Sequence, residues 1–550
     1  MYFWRWALWK AFEHDLARGP GVVSYIIASS FVDGDAFLGM REHMRRVCDE
    51  IWIIDLGGEG RGTRQDDNVF AIQTPVAITM AVRYGDGDHA TPAVVHYARI
   101  EGTRAAKLHK LEALQSLSDL AFEDCPNAWN APFRPAGRGA YFDWPLLTDL
   151  MPWQHSGAQA KRTWPIGPTK EVLQERWRQL LATPNRATAF KETRDRDVQK
   201  SVHSLMGIGK LTPLQELRPE AHPEAIRRYG YRSFDRQYLI ADNRVGDYLR
   251  PDLWHTLSDR QLFFASLFTQ VLENGPALTV SAEVPDLHFF SGRGAKDILP
   301  LYRDPEAQQP NLHPDLLKTL ADAHGQPVTA EDFAAYLYGL LAQPAFTARF
   351  HTELESRELR VPLTRDAALF KKIAALGREL IYLHTFGERF APSPEKGRDG
   401  EGSKAGDHIK CLKAVPSTSL PKAFTHDGTR QIIRVDGGEF GPVPLDVWEY
   451  EVSGLKVVQS WLGYRMQNRK GRKSSPLDDI APAAWTSETT SEFLQLLNLI
   501  ARTLEIHPQQ AALLEDALKD ELIEAAEFPE PSPQWRKALA FHAAQIGMEM

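Results

Sequence analysis

Apolar and polar positions follow two periods along the first hundred residues. Tyr2, Phe3, Trp4, Trp6, Leu8, Trp9 and Phe12 sit in a helical stretch yet point to every side of it, so a helix here needs cover all round. Residues 22–27 form a short apolar run between Gly19-Pro20-Gly21 and Asp33-Gly34-Asp35, which predicts a strand. Phe37, Met40, Met44, Val47 and Cys48 then share one helix face. Residues 51–54 run into Asp55, Gly57 and Gly58, residues 69–72 lead into 76–82, and 93–98 read as one more strand. Near-continuous apolar strands are buried on both faces, as in an α/β sheet covered by helices. Residues 1–100 are therefore expected to be the distal part of an α/β domain whose first part precedes Met1, on a longer chain or another subunit.

The pattern changes further on. Leu108, Leu111, Leu114 and Leu117 keep a helical step, whereas residues 121–170 are rich in Pro, Gly and Trp and read as an ordered connector. Residues 171–205 are polar and helical, 230–305 alternate short strands with turns, and 314–390 are helical. Thr329 and Asp332 form a capping pair ahead of Phe333, Leu337, Leu340 and Leu341. Residues 391–407 read as an exposed loop, 416–443 as short strands, and Phe493, Leu496, Leu497, Ile500 and Leu504 as a last helix. The expected domains are 1–100, a connector over 101–205, a further domain over 206–480 and a helical segment over 481–550.

Composition narrows the function. No apolar run is long enough to span a bilayer, and charges at Arg5, Lys10, Glu13 and Asp15 break any signal-peptide core. Cys48, Cys125 and Cys411 stand far apart, which argues against a disulfide framework or a zinc site and fits a reducing cytoplasm. The net charge of −8 restricts any polyanion-binding surface to a local basic patch.

Chemical signatures are sparse. There is no GxSxG elbow, no HExxH and no Walker A, and residues 207–210 read as a turn. Residues 57–62 resemble a cofactor loop, but Thr63 occupies the third glycine position and the chain continues toward a strand rather than a helix. Residues 130–133 echo an Asn-Pro-Pro-Tyr/Phe element without its first proline. The clearest basic segment is 464–475, with Arg465, Arg469, Lys470, Arg472 and Lys473 and no acidic residue between them. Phosphate contact and a solvated loop are both open there. Lys161 and Arg162 lie among tryptophans at 151–164, an interleaving common on nucleic-acid surfaces and equally explained by tryptophan packing against a neighbouring domain. Arg293, in the Gly292-Arg293-Gly294 turn, is a further DNA-contact candidate. No catalytic residue and no metal ligand is assigned.

Tyr2-Phe3-Trp4-Arg5-Trp6-Ala7-Leu8, Gly21-Val22-Val23-Ser24-Tyr25-Ile26, Ser29-Ser30-Phe31, Asp33-Gly34, Met40-Arg41, Ile54-Asp55-Leu56-Gly57-Gly58 and Asn68-Val69-Phe70 resemble the later half of an N6-adenine DNA methyltransferase domain. The remainder is similar to the target-recognition region of type ISP restriction–modification enzymes. That likeness is carried by Trp144-Pro145-Leu146, Asp286-Leu287-His288, residues 299–304, Leu383-His384-Thr385, residues 448–454, 460–466 and 472–477. The resemblance implies a partial Rossmann-like class I methyltransferase sheet followed by a mixed α+β recognition domain with a helical C-terminal part. It implies site-specific adenine-N6 methylation by the complete enzyme, with S-adenosylmethionine as its cofactor and double-stranded DNA as its partner. The chain lacks the nuclease, the ATPase, the methyl-donor loop and Asn-Pro-Pro-Tyr, so it is expected to bind no cofactor alone and to need an upstream portion in cis or in trans. The resemblance puts Phe70 near an aromatic that contacts a flipped adenine; a strand core position is its other reading. Two alternatives stand beside this one: a stand-alone DNA-binding specificity subunit, and an unrelated α/β enzyme using residues 57–62 for a nucleotide.

Overall fold

The computed structural model describes residues 2–14, 19–58, 67–70, 72, 74–85, 90–135, 139–291, 296–391, 408–468 and 475–535. They form a mixed α/β protein of several small sheets and helices, in two units. Unit 1 comprises Met1–Asp143 and Phe350–Glu358; unit 2 comprises Trp144–Arg349 and Leu359–Met550. The expected connector is thus shared between them. Among the described residues no helix is long and apolar enough to cross a membrane.

Unit 1 is built on one sheet. Helix α1 (Tyr2–Leu8) precedes strand β1 (Gly21–Ala28), followed by α2 (Leu38–Val47), β2 (Glu50–Asp55), β3 (Val76–Arg83), β4 (Val94–Arg99), α3 (Arg104–Ala113) and the short β5 (Glu123–Asp124). The order is β1-β3-β2-β4-β5. β3 runs antiparallel to both of its neighbours, β1 and β2, and β2 is parallel to β4. The apolar runs read from the sequence are these strands, with one correction. The described residues 69, 70 and 72 lie in no strand. Asn68 takes over the backbone there: its Oδ1 accepts the Phe70 N–H at 2.9 Å and its Nδ2 donates to the Thr74 carbonyl at 2.7 Å, closing turns instead.

Strand pleating sends alternate residues to opposite faces. Val23, Ala81, Ile51, Ile53 and Val95 pack under Trp4, Leu8, Phe12, Phe31 and Met44. The opposite face differs from the expected double burial. Ser24, Met80, Trp52 and His96 lie in register across it, as do Val22, Val82, Glu50 and Val94. Leucines 111, 114 and 117 cover only the end holding Ile54 and Ala98. Val22 and Ile26 remain 63% and 54% exposed. On α1, Trp4, Ala7 and Leu8 are buried, while Tyr2, Phe3 and Trp6 face outward.

The segment Phe350–Glu358 is tied into unit 1 by charge. Buried Arg134 meets Asp33 at 3.2 Å, Asp55 at 3.4 Å and Glu355 at 3.6 Å. Asp55 also accepts from Ser29 Oγ, the Gly57 N–H and Tyr97 Oη. Burial works to raise the Asp55 carboxyl, but Arg134 and Arg99 outweigh it and hold the group below its ordinary value. Tyr141 Oη donates to the Glu358 carbonyl.

Unit 2 holds the three-stranded sheet β6-β8-β7, from β6 (Ile166–Gly167), β7 (Ile226–Arg232) and β8 (Asp235–Ile240). Phe263–Ala265 pairs with Thr279–Ser281 and with Ile298–Pro300. The expected helical region contains Leu316–His324, Ala330–Leu341, Pro344–Arg349 and Ala367–His384, and Thr329 with Asp332 forms the expected capping box. Helices Ala330–Leu341 and Ala367–His384 press together at Gly377, where a Cβ would lie 1.8 Å from the Ala335 carbonyl oxygen. A four-stranded sheet over residues 410–441 and the 33-residue helix Ser487–Lys519 complete the unit. Residues 392–407 of the expected loop at 391–407 lie outside the described residues.

Candidate nucleic-acid interface

In unit 1 the turn made by Asn68 leaves Phe70 44% exposed at its tip. This corrects the strand-core reading of Phe70. The base of the turn is fixed from below. Lys107, fully buried on α3, donates to the Leu56 carbonyl at 2.5 Å and to the Asp67 carbonyl at 2.8 Å. Asn68 Nδ2 also reaches the Gly58 carbonyl at 3.3 Å. The two ends of the 57–68 segment are thereby pinned together. Its middle, including most of the glycine-rich stretch, lies outside the described residues.

The same geometry is a poor fit to a methyl donor. A donor loop offers free backbone N–H groups at the start of a helix and a free carboxylate beyond. Here the carboxylate at the end of β2, Asp55, is not free: Arg134, Ser29 and Tyr97 engage it, and most of the glycine-rich stretch lies outside the described residues. No cluster of three or more metal-ligating side chains occurs among the described residues.

In unit 2 two of the expected DNA contacts are withdrawn from the surface. Arg162 has a fully buried side chain that meets Asp247 at 2.5 Å and donates to the carbonyls of Lys191, Ala160 and Arg196. Arg465 is buried against Asp235 at 2.8 Å, with its guanidinium 3.6 Å from the Trp461 ring centroid. A buried charge is kept only when it is paired, and both arginines spend their donors inside. This corrects their placement among the DNA contacts. Lys161 stays partly exposed, yet it bonds Asp195 at 3.0 Å and lies over the Tyr248 ring. Arg293, Arg469, Lys470, Arg472 and Lys473 lie outside the described residues. The flanks of the 469–474 segment are fixed: Gln467 N–H donates to the Pro421 carbonyl, and Ser475 caps the turn that follows it.

Tyr464 stands at the head of that segment. Its ring meets Tyr231 edge-on at 4.9 Å, and Arg232 lies 4.1 Å above the Tyr231 ring centroid. Arg232 in turn pairs with buried Asp286 at 2.8 Å, and Tyr229 Oη donates to the same carboxylate. Strand β7 thus presents Tyr229 and Arg232 to Asp286, and Tyr231 to Tyr464. Tyr464 also lines a cavity of about 530 Å³ with Tyr238, Arg228, Arg465 and Trp485. Tyr231 and Arg232 belong to no motif in the sequence; the only available signal was an aromatic and a cation beside each other on a short strand.

The class of this protein follows from comparison with known families. Residues 149–496 match the model described as the Type ISP C-terminal specificity domain. The chain belongs to that family. Comparison with curated proteins gives no match. Among solved structures, the cryo-EM structure of a DrdV–DNA complex is 17% identical, with a TM-score of 0.60 over 94% of this chain and 51% of its own. The ATP-dependent type ISP restriction–modification enzyme LlaBIII bound to DNA is 16% identical, with a TM-score of 0.61 over 95% of this chain and 36% of its own. A nuclease-deletion mutant of the type ISP enzyme LlaGI, in complex with a DNA substrate mimic, is 18% identical, with a TM-score of 0.57 over 90% and 39%. The likeness is one of fold, and this chain spans about half or less of those chains.

Proposed function

We propose that this chain is the target-recognition part of a site-specific DNA adenine-N6 methyltransferase of a restriction–modification system, joined to the distal half of its methyltransferase sheet. It reads double-stranded DNA, and the complete enzyme extrudes an adenine for methylation in the cytoplasm. Family membership over residues 149–496 supports the recognition role. The observation that carries the methyltransferase part is the unfinished sheet of unit 1. β1 is an edge strand, its residues Val22 and Ile26 are exposed, and the outer aromatics of α1 are uncovered. An open edge and an open apolar face are what a proximal half-domain would cover. Phe70, held outward by Asn68, is the base-pocket residue of this reading. Donor binding and the catalytic amide belong to the upstream portion. S-adenosylmethionine supplies the methyl group there, and this chain's residues orient and select the DNA.

The test is methyl transfer to adenine by the purified chain with and without an upstream methyltransferase polypeptide. The expected result is none alone and site-specific methylation on addition. Methylation by the chain alone, or none with any upstream partner while DNA is bound, would leave a stand-alone DNA-binding specificity subunit or a different enzyme.

A further inference from the structure

Residues 202–211 of unit 2 close a tight turn that carries an isoleucine at its tip. Leu211 N–H donates to the Val202 carbonyl at 2.7 Å and Ser204 N–H to the Gly209 carbonyl at 2.9 Å, with His203 and Lys210 bridged in antiparallel fashion. The turn is anchored from below. Leu205 is buried, its N–H donates to Glu224 at 3.0 Å, and Ser204 Oγ donates to the same carboxylate. Asn243 Nδ2 holds the His203 carbonyl at 3.0 Å. Two glycines shape the tip. Gly207 N–H donates to Ser204 Oγ at 2.6 Å, and a Cβ there would lie 2.9 Å from that oxygen; Gly209 adopts φ +96°. Between them Ile208 is fully exposed. A lone apolar side chain on a surface is ordinary. Here it caps a turn that a buried leucine and a carboxylate hold in place. The charge around the tip is one-sided as well. Residues 198–215 hold Lys200, His203 and Lys210 and no acidic residue, in a chain of net charge −8. Both lysines are exposed, and neither forms an ion pair with a described carboxylate.

We infer that this turn is a wedge for duplex DNA: Ile208 enters between two stacked base pairs, and Lys200 and Lys210 meet the flanking phosphates. The inference rests on the DNA-reading role proposed above, and the turn lies within the matched residues 149–496. An apolar side chain pushed between base steps from a cationic surface partly unstacks them and kinks the duplex. The tip has both parts of such a contact. Isoleucine forms no hydrogen bond to a base edge and gains only from leaving water. The lysines add attraction that is independent of sequence. One isoleucine among cations is too little for a lipid or protein contact, which a contiguous apolar patch marks.

The experiment uses the full chain and a duplex of the sequence it enriches from a random pool, with 2-aminopurine placed at each position in turn. The emission of that base rises where stacking is lost. Wild type should raise it at one base step and bend the duplex in a gel phasing assay. Ile208→Ala should remove both signals and weaken binding by roughly tenfold, with the salt slope and the thermal melt of wild type. Ile208→Phe should restore both signals, because size and apolarity are all that the contact requires. Lys210→Ala should lower the salt slope by about one and leave the emission peak at the same step. Flat emission along the whole duplex while wild type binds it overturns the inference. So does a peak that survives in Ile208→Ala, which would assign the unstacking to another residue and leave the tip to a protein partner. If wild type enriches no sequence at all, the DNA-reading role fails first and the wedge with it.

Discussion

Arg134 of unit 1 meets Glu355 at 3.6 Å, although Glu355 belongs to a segment that follows the Trp144–Arg349 part of unit 2 in the chain. The arginine also holds Asp33 and Asp55, so one guanidinium joins three carboxylates from three parts of the sequence. Removing one partner of a buried pair strands the other charge, at about 3–5 kcal/mol. Arg134→Met is accordingly expected to destabilise unit 1 by that order and to free the Phe350–Glu358 amides for hydrogen exchange, while the amides of Ala367–His384 keep their protection. Exchange read by mass spectrometry checks it.

The same network sets an acid limit. Asp55 has a folded-state pKa below its ordinary value, so its contribution is present above the unfolded value of about 3.9 and is lost as pH falls through the folded value. Tyr97 fluorescence or exchange of the β2 amides should report loosening of unit 1 in that acid range, and Asp55→Asn should remove the dependence.

Unit 2 should respond at milder acidity. Burial lowers His155 to about 4, with Arg250 adding to it, lowers His384 to about 3, with His507 adding to it, and lowers His507 to about 4. The unfolded chain binds these protons near pH 6.5. Between those values the unfolded state holds more protons, so stability rises with pH and falls on acidification. Three such groups give a slope of at most about 4 kcal/mol per pH unit. Urea midpoints measured between pH 7 and pH 5 should fall steadily; a flat profile would show the three rings to be protonated in the fold.

One arginine and one lysine separate structure from DNA contact. Arg465→Met breaks a buried pair with Asp235 and should lower the stability of unit 2 by about 3–5 kcal/mol without changing the salt slope of DNA binding. Lys470→Ala should leave stability alone and lower that slope by about one, equally on unrelated duplexes. Thermal melts and salt titrations on both variants distinguish the two roles.

The open face of unit 1 makes a further prediction. Ile26 is half exposed, so Ile26→Lys should shift the stability of the chain by no more than about 0.5 kcal/mol. It should nevertheless abolish co-purification with an upstream methyltransferase polypeptide. Retained co-purification would place the partner elsewhere.

The strands of unit 1 were legible because four apolar runs kept their period, and the capping box at Thr329 and Asp332 was legible because it is local. Residues 69–72 misled because Asn68 diverts the backbone with its own side chain, an effect the apolar pattern does not record. Arg162 and Arg465 read as surface cations because their partners, Asp247 and Asp235, are remote in sequence. The return of residues 350–358 to unit 1 carries no sequence signal: it is decided by Arg134, whose burial no pattern predicts.

The central claim is that this chain reads DNA by sequence. The most direct measurement is its affinity for the duplex enriched by selection against a scrambled duplex of the same composition, at one stated salt concentration. The account predicts a preference of about a thousandfold or more for the selected duplex. Equal affinity for the two, with the same salt slope, would contradict it.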